Sequence, residues 1–145
     1  MDFLNSIQTS SSGLSAQRLR MNLISGNLAN VNTTRTRQGG PYRRKEAIFA
    51  ARQINSTFNK ILTDRQKSQL SGVSVDRIYE DPASPIMKYQ PSHPHANDQG
   101  YVAMPNINPM EEMVNMISAT RGFEANVTAL KAAKEMALKA LEIGR

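Results

Sequence analysis

The residues best suited to chemistry are few. His93 and His95 are the only histidines; they flank Pro94, and Asp98 follows. A metal site wants more ligands than these, carried on a rigid element, so the pair reads as exposed loop residues. Glu80–Asp81 and Glu111–Glu112 are adjacent carboxylate pairs. Neighbours in a turn or at a helix start point in different directions, so they are expected to serve solvation and the helix dipole, not acid–base transfer. There is no Cys, which removes disulfides, thiolate nucleophiles and Cys-based zinc or iron–sulfur sites. No nucleophile elbow, phosphate-cradling glycine loop or histidine-centred constellation appears. Neither an enzyme nor a cofactor is expected.

The net charge of +6 is concentrated. Residues 35–60 hold Arg35, Arg37, Arg43, Arg44, Lys45, Arg52 and Lys60 against Glu46 alone, while residues 1–34 carry +1, 61–107 carry −1 and 108–145 balance. As a nucleic-acid arm this stretch would contact phosphates with steep salt dependence, and Gly39, Gly40 and Tyr42 suit a flexible, stacking segment. A solvated loop, or a contact to acidic partner surfaces, explains it equally well.

These residues must be positioned by a chain of 145 residues, one domain's worth. Ile, Leu, Val and Phe make up 30 of them, just above the ~20% floor below which chains stay disordered, so a large independent core is not expected. No basic residue precedes Arg18, and no apolar run reaches membrane-spanning or signal-peptide length. The chain reads as soluble, with no membrane span, and any export must use another route.

Proline partitions the chain. None occurs before Pro41 or after Pro109, and six of the seven lie between Pro82 and Pro109. Both ends are therefore free to form long helices and the middle is not. A 3–4 stepping from residue 3 to 31 collects Phe3, Ile7, Leu14, Met21, Ile24, Leu28 and Val31, interrupted by Ser10 and Gln17. The same stepping from 113 to 141 collects Met113, Met116, Phe123, Val127, Leu130, Ala137 and Leu141, interrupted by Thr120 and Lys134. Asn108 suits a cap for the second helix, Pro109 its first position, Glu111 the third position of a capping box and Gly144 its end.

At 1.5 Å per residue the helices would be about 43 and 52 Å long. No core built by the short middle covers such rods, so the stripes need partners: first each other, then other molecules. Ala119, Ala125, Ala129, Ala132, Ala133 and Ala140 form a further face that either lets backbones approach or simply favours helix. The middle reads as short strands: 47–54, a second through Val73, Val75 and Tyr79, then 86–89 and 100–104, punctuated by prolines. Residues 56–71 fit a loop or a short helix. The expectation is an α+β chain: long terminal helices paired as an antiparallel coiled coil, with a small β-hairpin-rich insertion. The divisions are an N-terminal assembly helix at 1–34, a basic loop and β-rich domain at 35–107, and a C-terminal assembly helix at 108–145.

The stretch SGLSAQRLRMNLISGNLANVNT (12–33) resembles the N-terminal signature of the bacterial flagellar rod and hook axial proteins, in which a helix ends in the turn Asn27-Leu28-Ala29-Asn30. Residues 111–145 resemble the matching C-terminal signature. In the middle, GGPYRRKEAIF (39–49), GVSVDRIYEDPASP (72–85) and HPHANDQGYVAMPNIN (93–108) are similar to the C-type subunits of the proximal rod. The resemblance implies a subunit that stacks with copies of itself and with other rod proteins into a hollow helical shaft, with membrane-ring and distal-rod components as neighbours. It further implies passage through the flagellar type III export apparatus without a cleaved signal peptide, a place in the periplasmic proximal rod, and no nucleic-acid role. The two stripes are then the expected assembly interface. Arg43, Arg44 and Lys45 are the expected salt-sensitive contacts to a neighbouring subunit.

Overall fold

A computed structural model of the chain describes residues 2–53 and 71–143. The elements run α1 (Asp2–Ala29), β1 (Lys45–Gln53), β2 (Ser71–Glu80), β3 (Ile86–Tyr89), β4 (Tyr101–Met104) and α2 (Pro109–Ile143). This is the expected α+β order. Most of residues 56–71, Lys60 and Gly144 lie outside the described residues, as does the side chain of Phe3.

The ends of the helices follow from local chemistry. Asn30 stops α1: its Nδ2 donates to Gly26 O at 2.8 Å and its backbone N–H to the same oxygen at 3.1 Å, and Thr33 then donates through Oγ1 to Asn30 Oδ1 at 3.1 Å. The first two bonds satisfy the Gly26 carbonyl, one of those a helix end leaves open, and the third holds the Asn30 side chain in place. The helix therefore ends at Ala29, short of Val31, which lies in the following turn. At the other helix, Asn108 Oδ1 accepts the Met110 N–H at 3.1 Å, the bond of an N-cap, with Pro109 in the first position.

The strands form two two-stranded sheets, β1 with β2 and β3 with β4. The β3–β4 pair is antiparallel, with Ile86 opposite Met104 and Tyr89 opposite Tyr101, and the two tyrosine rings meet edge to face with centroids 5.3 Å apart. Gly100 closes the connection with φ +81°, where a Cβ would lie 2.8 Å from Tyr89 Cε2. Glycine is required there by conformation and by space.

By internal contacts the chain forms two compact units, to each of which both helices contribute. One comprises Met1–Leu19, Ile48–Arg77 and Thr120–Arg145. In it the helices run antiparallel and close: a Cβ on Gly13 would meet Asn126 Oδ1 at 3.0 Å, and one on Gly122 would meet Gln17 Cδ at 3.3 Å. Ala16 and Ala133 are buried here. Gln17 Oε1 is buried with no hydrogen-bond partner among the described residues. Ser12 Oγ accepts the Val73 N–H at 3.0 Å, fastening the start of β2 to α1.

The second unit comprises Arg20–Ala47 and Ile78–Ala119. Its buried apolar side chains include Ile24, Val102, Pro105, Ile107 and Ala119, and among them lie two polar ones, Asn27 and Glu112, each 1% exposed. Burying such groups is unfavourable unless every polar atom is paired. How they are paired defines the site below.

Candidate functional site

Asn27 sits in the last turn of α1 with its hydrogen-bonding capacity filled. Its Nδ2 donates to Lys45 O and to Glu112 Oε2, each at 2.9 Å, and its Oδ1 accepts the Lys45 N–H at 2.9 Å and the Tyr42 hydroxyl at 3.2 Å. Two donors and two acceptor sites are all that a side-chain amide has. Glu112, in the first turn of α2, takes Arg44 Nε at 2.7 Å on its other oxygen. One network thus joins the end of α1, the start of β1 and the start of α2.

The electrostatics favour the paired state. For Arg44, burial works to lower the guanidinium pKa, but the hydrogen bond and charge of Glu112, helped by Glu46 and Glu111, outweigh it and raise it above its ordinary value. Tyr42 is pushed above its usual 10 by burial; Lys45 offsets part of this, and Glu80 and Glu112 add to it. Arg44 also pairs with Glu46 at 3.4 Å, and Lys45 Nζ with Glu80 at 3.1 Å in a more exposed setting. Every polar atom of Asn27 and both carboxylate oxygens of Glu112 are held by other protein groups. The arrangement is built to hold segments together, not to react.

Glu112 corrects the sequence reading, which gave the Glu111–Glu112 pair to solvation and the helix dipole. Glu111 is exposed, and Glu112 is a buried ligand of Asn27 and Arg44. The signal was present: stepping back by 3–4 along α2 from Ala119 through Met116 reaches residue 112, on the inward face. Tyr42, which completes the acceptor side of Asn27, was read only as a stacking residue.

The remaining candidates are placed as follows. In the Asn27–Asn30 turn, Asn27 faces inward, Asn30 terminates the helix, Leu28 is half-buried and Ala29 exposed. Ile24 is buried, and Ile7, Leu14, Met21, Val31, Met116, Phe123, Val127, Leu130 and Ala137 are half-buried, whereas Met113 and Leu141 are exposed. Of the alanine face, Ala119 and Ala133 are buried and Ala125, Ala129, Ala132 and Ala140 exposed. Arg44 and Lys45 are engaged within the chain, and Arg43 is exposed.

His93 and His95 pack edge to face with centroids 5.3 Å apart; His93 Nδ1 accepts the His95 N–H at 3.1 Å, and His95 Nδ1 lies 2.8 Å from Thr34 Oγ1. Among the described residues no group of three or more His, Asp or Glu is placed to hold a metal ion. No described helix is long and apolar enough to cross a membrane.

Two terminal helices flank a small β insertion in the chain and are joined by buried polar pairs, and known families place this arrangement. Residues 7–35 match the family described as flagella basal body rod protein, and residues 98–143 match the flagellar basal body rod FlgEFG protein C-terminal family. Curated relatives extend the likeness to the full length. The chain is 43% identical to the flagellar basal-body rod protein FlgC of Bacillus subtilis, with all of both chains aligned. It is 45% identical to that of Borreliella burgdorferi over 99% of this chain and 98% of the relative. With FlgC of Salmonella typhimurium it shares 36% identity over the whole of both. The chain belongs to the flagellar basal-body rod protein FlgC family. It is a structural subunit of the flagellar basal body that assembles with other basal-body components, and not an enzyme.

Proposed function

We propose that the chain stacks with copies of itself and with other rod proteins into the proximal part of a hollow helical shaft in the periplasm. The shaft transmits torque and encloses the export channel, and motility depends on it. Membrane-ring and distal-rod components are its neighbours. It reaches its place through the flagellar type III export apparatus, without a cleaved signal peptide. Residues 1–34 and 108–145 serve as assembly helices, and residues 35–107 as the basic loop and β-rich part between them.

The observation that carries this reading is the outer face of α2. Met110, Met113, Val114 and Ile117 fall at the i, i+3, i+4, i+7 spacing of one helical face and are 67%, 44%, 64% and 55% exposed. The opposite face holds the buried Glu112 and Ala119. A row of large apolar side chains left in water is unfavourable unless another chain covers it. A subunit with different apolar surfaces makes heterologous contacts, which propagate as an open helix when the rotation does not close a ring.

The test is compositional. Basal bodies purified from cells with and without the gene are compared by mass spectrometry and imaging. The chain should be present in the rod, and rods should be missing or truncated in its absence. Complete rods and normal swimming without it would refute the reading.

A further inference from the structure

The loop between α1 and β1 carries three guanidinium groups that the fold does not use. Arg35, Arg37 and Arg43 are exposed and form no ion pair among the described residues, in contrast to Arg44 and Lys45 beside them. The loop that displays them is built. Tyr42 N–H donates to Thr33 O at 3.0 Å, Thr36 N–H to Gly40 O at 2.8 Å and Gly39 N–H to Thr36 O at 3.1 Å. Its base is pinned by the Tyr42 hydroxyl on Asn27. On a closed, anchored loop the backbone that carries the three arginines has little freedom left to lose on meeting a ligand.

Beside Arg43 lies a cleft of about 100 Å³, whose walls include Gly39, Gly40, Asp81, Pro85 and Pro105. A cavity of ~150 Å³ takes benzene, so this one takes a single aliphatic side chain. At Gly39 and Gly40, φ +88° and +74°, a built Cβ would meet nothing within 4 Å. That wall is open to the backbone of another chain.

The chain does not supply its own complement. The whole chain carries +6, so a second copy approaches this loop with net charge of the same sign. A nucleic-acid or lipid phosphate surface has no side chain to fill the cleft. The geometry points to a docking site for an acidic segment of a different protein: carboxylates on Arg35, Arg37 and Arg43, and one aliphatic side chain lodged between Pro85 and Pro105. The inference rests on the rod reading only in making that protein another basal-body component.

The full-length chain is titrated with a short synthetic peptide of glutamates around one Leu, near physiological salt, with binding mapped by amide chemical shifts. Controls are the same peptide with Gln for Glu or Gly for Leu, a heparin fragment, and vesicles of phosphatidylglycerol and phosphatidylcholine. The acidic peptide should shift the amides of residues 35–40, 42 and 43, and those of Ile86 and Asn106 beside the cleft prolines. The Arg35→Ser/Arg37→Ser/Arg43→Ser variant should bind it about tenfold more weakly, and the Gly and Gln peptides should bind more weakly to the parent chain. Arg43→Ser alone gives a smaller loss in the same direction and serves if the triple variant fails to fold. No binding of the acidic peptide, equal affinity for the variants, or indifference to the Leu overturns the proposal. So does tighter arginine-dependent binding of heparin or vesicles, which would make the loop a polyanion site. Absence of the chain from purified basal bodies would overturn the rod reading and leave the peptide result standing.

Discussion

Asn27 treats the backbone of Lys45 as a neighbouring strand would: its side-chain amide donates to Lys45 O and accepts from Lys45 N–H, both at 2.9 Å. A helix side chain thus begins the pairing of a β-strand, and the same amide reaches Glu112 on the other helix.

Replacing that amide should be costly. Asn27→Ala leaves the Lys45 peptide group and a Glu112 oxygen without their partner, and should destabilise the chain by about 3 kcal/mol. Asn27→Asp keeps the shape but turns a donor on Glu112 into a second carboxylate. Denaturant titration near neutral pH should rank it below Asn27→Ala.

Arg44 and Glu112 should behave as a coupled pair. Arg44→Ala leaves a buried carboxylate without its cation, a loss of about 3 kcal/mol. Glu112→Gln removes the charge and should cost less. In a double-mutant cycle the combined variant should lose less than the sum of the two singles; strict additivity would show that they are not coupled.

Alkaline pH should weaken the fold through Tyr42. Burial, with Lys45 opposing and Glu80 and Glu112 assisting, raises its folded pKa above 10. The neutral phenol's contribution is fully present below the unfolded value, and is lost as pH climbs from there through the folded value. Tyr42→Phe should be about 1 kcal/mol less stable at neutral pH, for want of the bond to Asn27. Its stability should then fall less steeply above pH ~10, as read by unfolding curves across the alkaline range.

Gln17→Met should stabilise the unit that contains it. The buried Gln17 Oε1 has no partner among the described residues, and a thioether chain of similar length removes that acceptor and keeps the packing on Gly122. A gain of about 1 kcal/mol is expected from thermal or denaturant unfolding.

Met113→Asp and Leu141→Asp separate folding from assembly. Both side chains are exposed, 44% and 72%, so the isolated chain should keep its stability to within about 0.5 kcal/mol. Incorporation into rods and swimming should nevertheless fall sharply. Normal swimming in both variants would remove these positions from the assembly interface.

What the sequence disclosed depended on which physical signal each residue carried. Proline placement and apolar stepping located both helices, alternation located β2, short runs set off by turn residues located the other strands, and Asn108-Pro109 marked the start of α2. Apolar stepping could not find the polar members of the inward face, because Asn27 and Glu112 are buried by mutual pairing and not by hydrophobicity. It also set the α2 stripe off the buried face at Met113 and Leu141, since the helices close on small residues such as Ala119, Ala133 and Gly122 that hydropathy ranks low. The charge count located the basic loop but not the division of labour within it. Arg44 and Lys45 pair with carboxylates distant in sequence, Arg44 with a buried one, and Arg43 does not.

The three-way lock also sets an order in time. Asn27 and Glu112 lie 85 residues apart, and Arg44 and Glu112 lie 68 apart. A chain emerging N-terminus first, from the ribosome or any other narrow passage, carries its amide and its guanidinium long before the carboxylate that completes them. Closing so wide a loop comes late and cannot be hurried by local helix propensity. The second unit therefore stays open until its last participant has emerged.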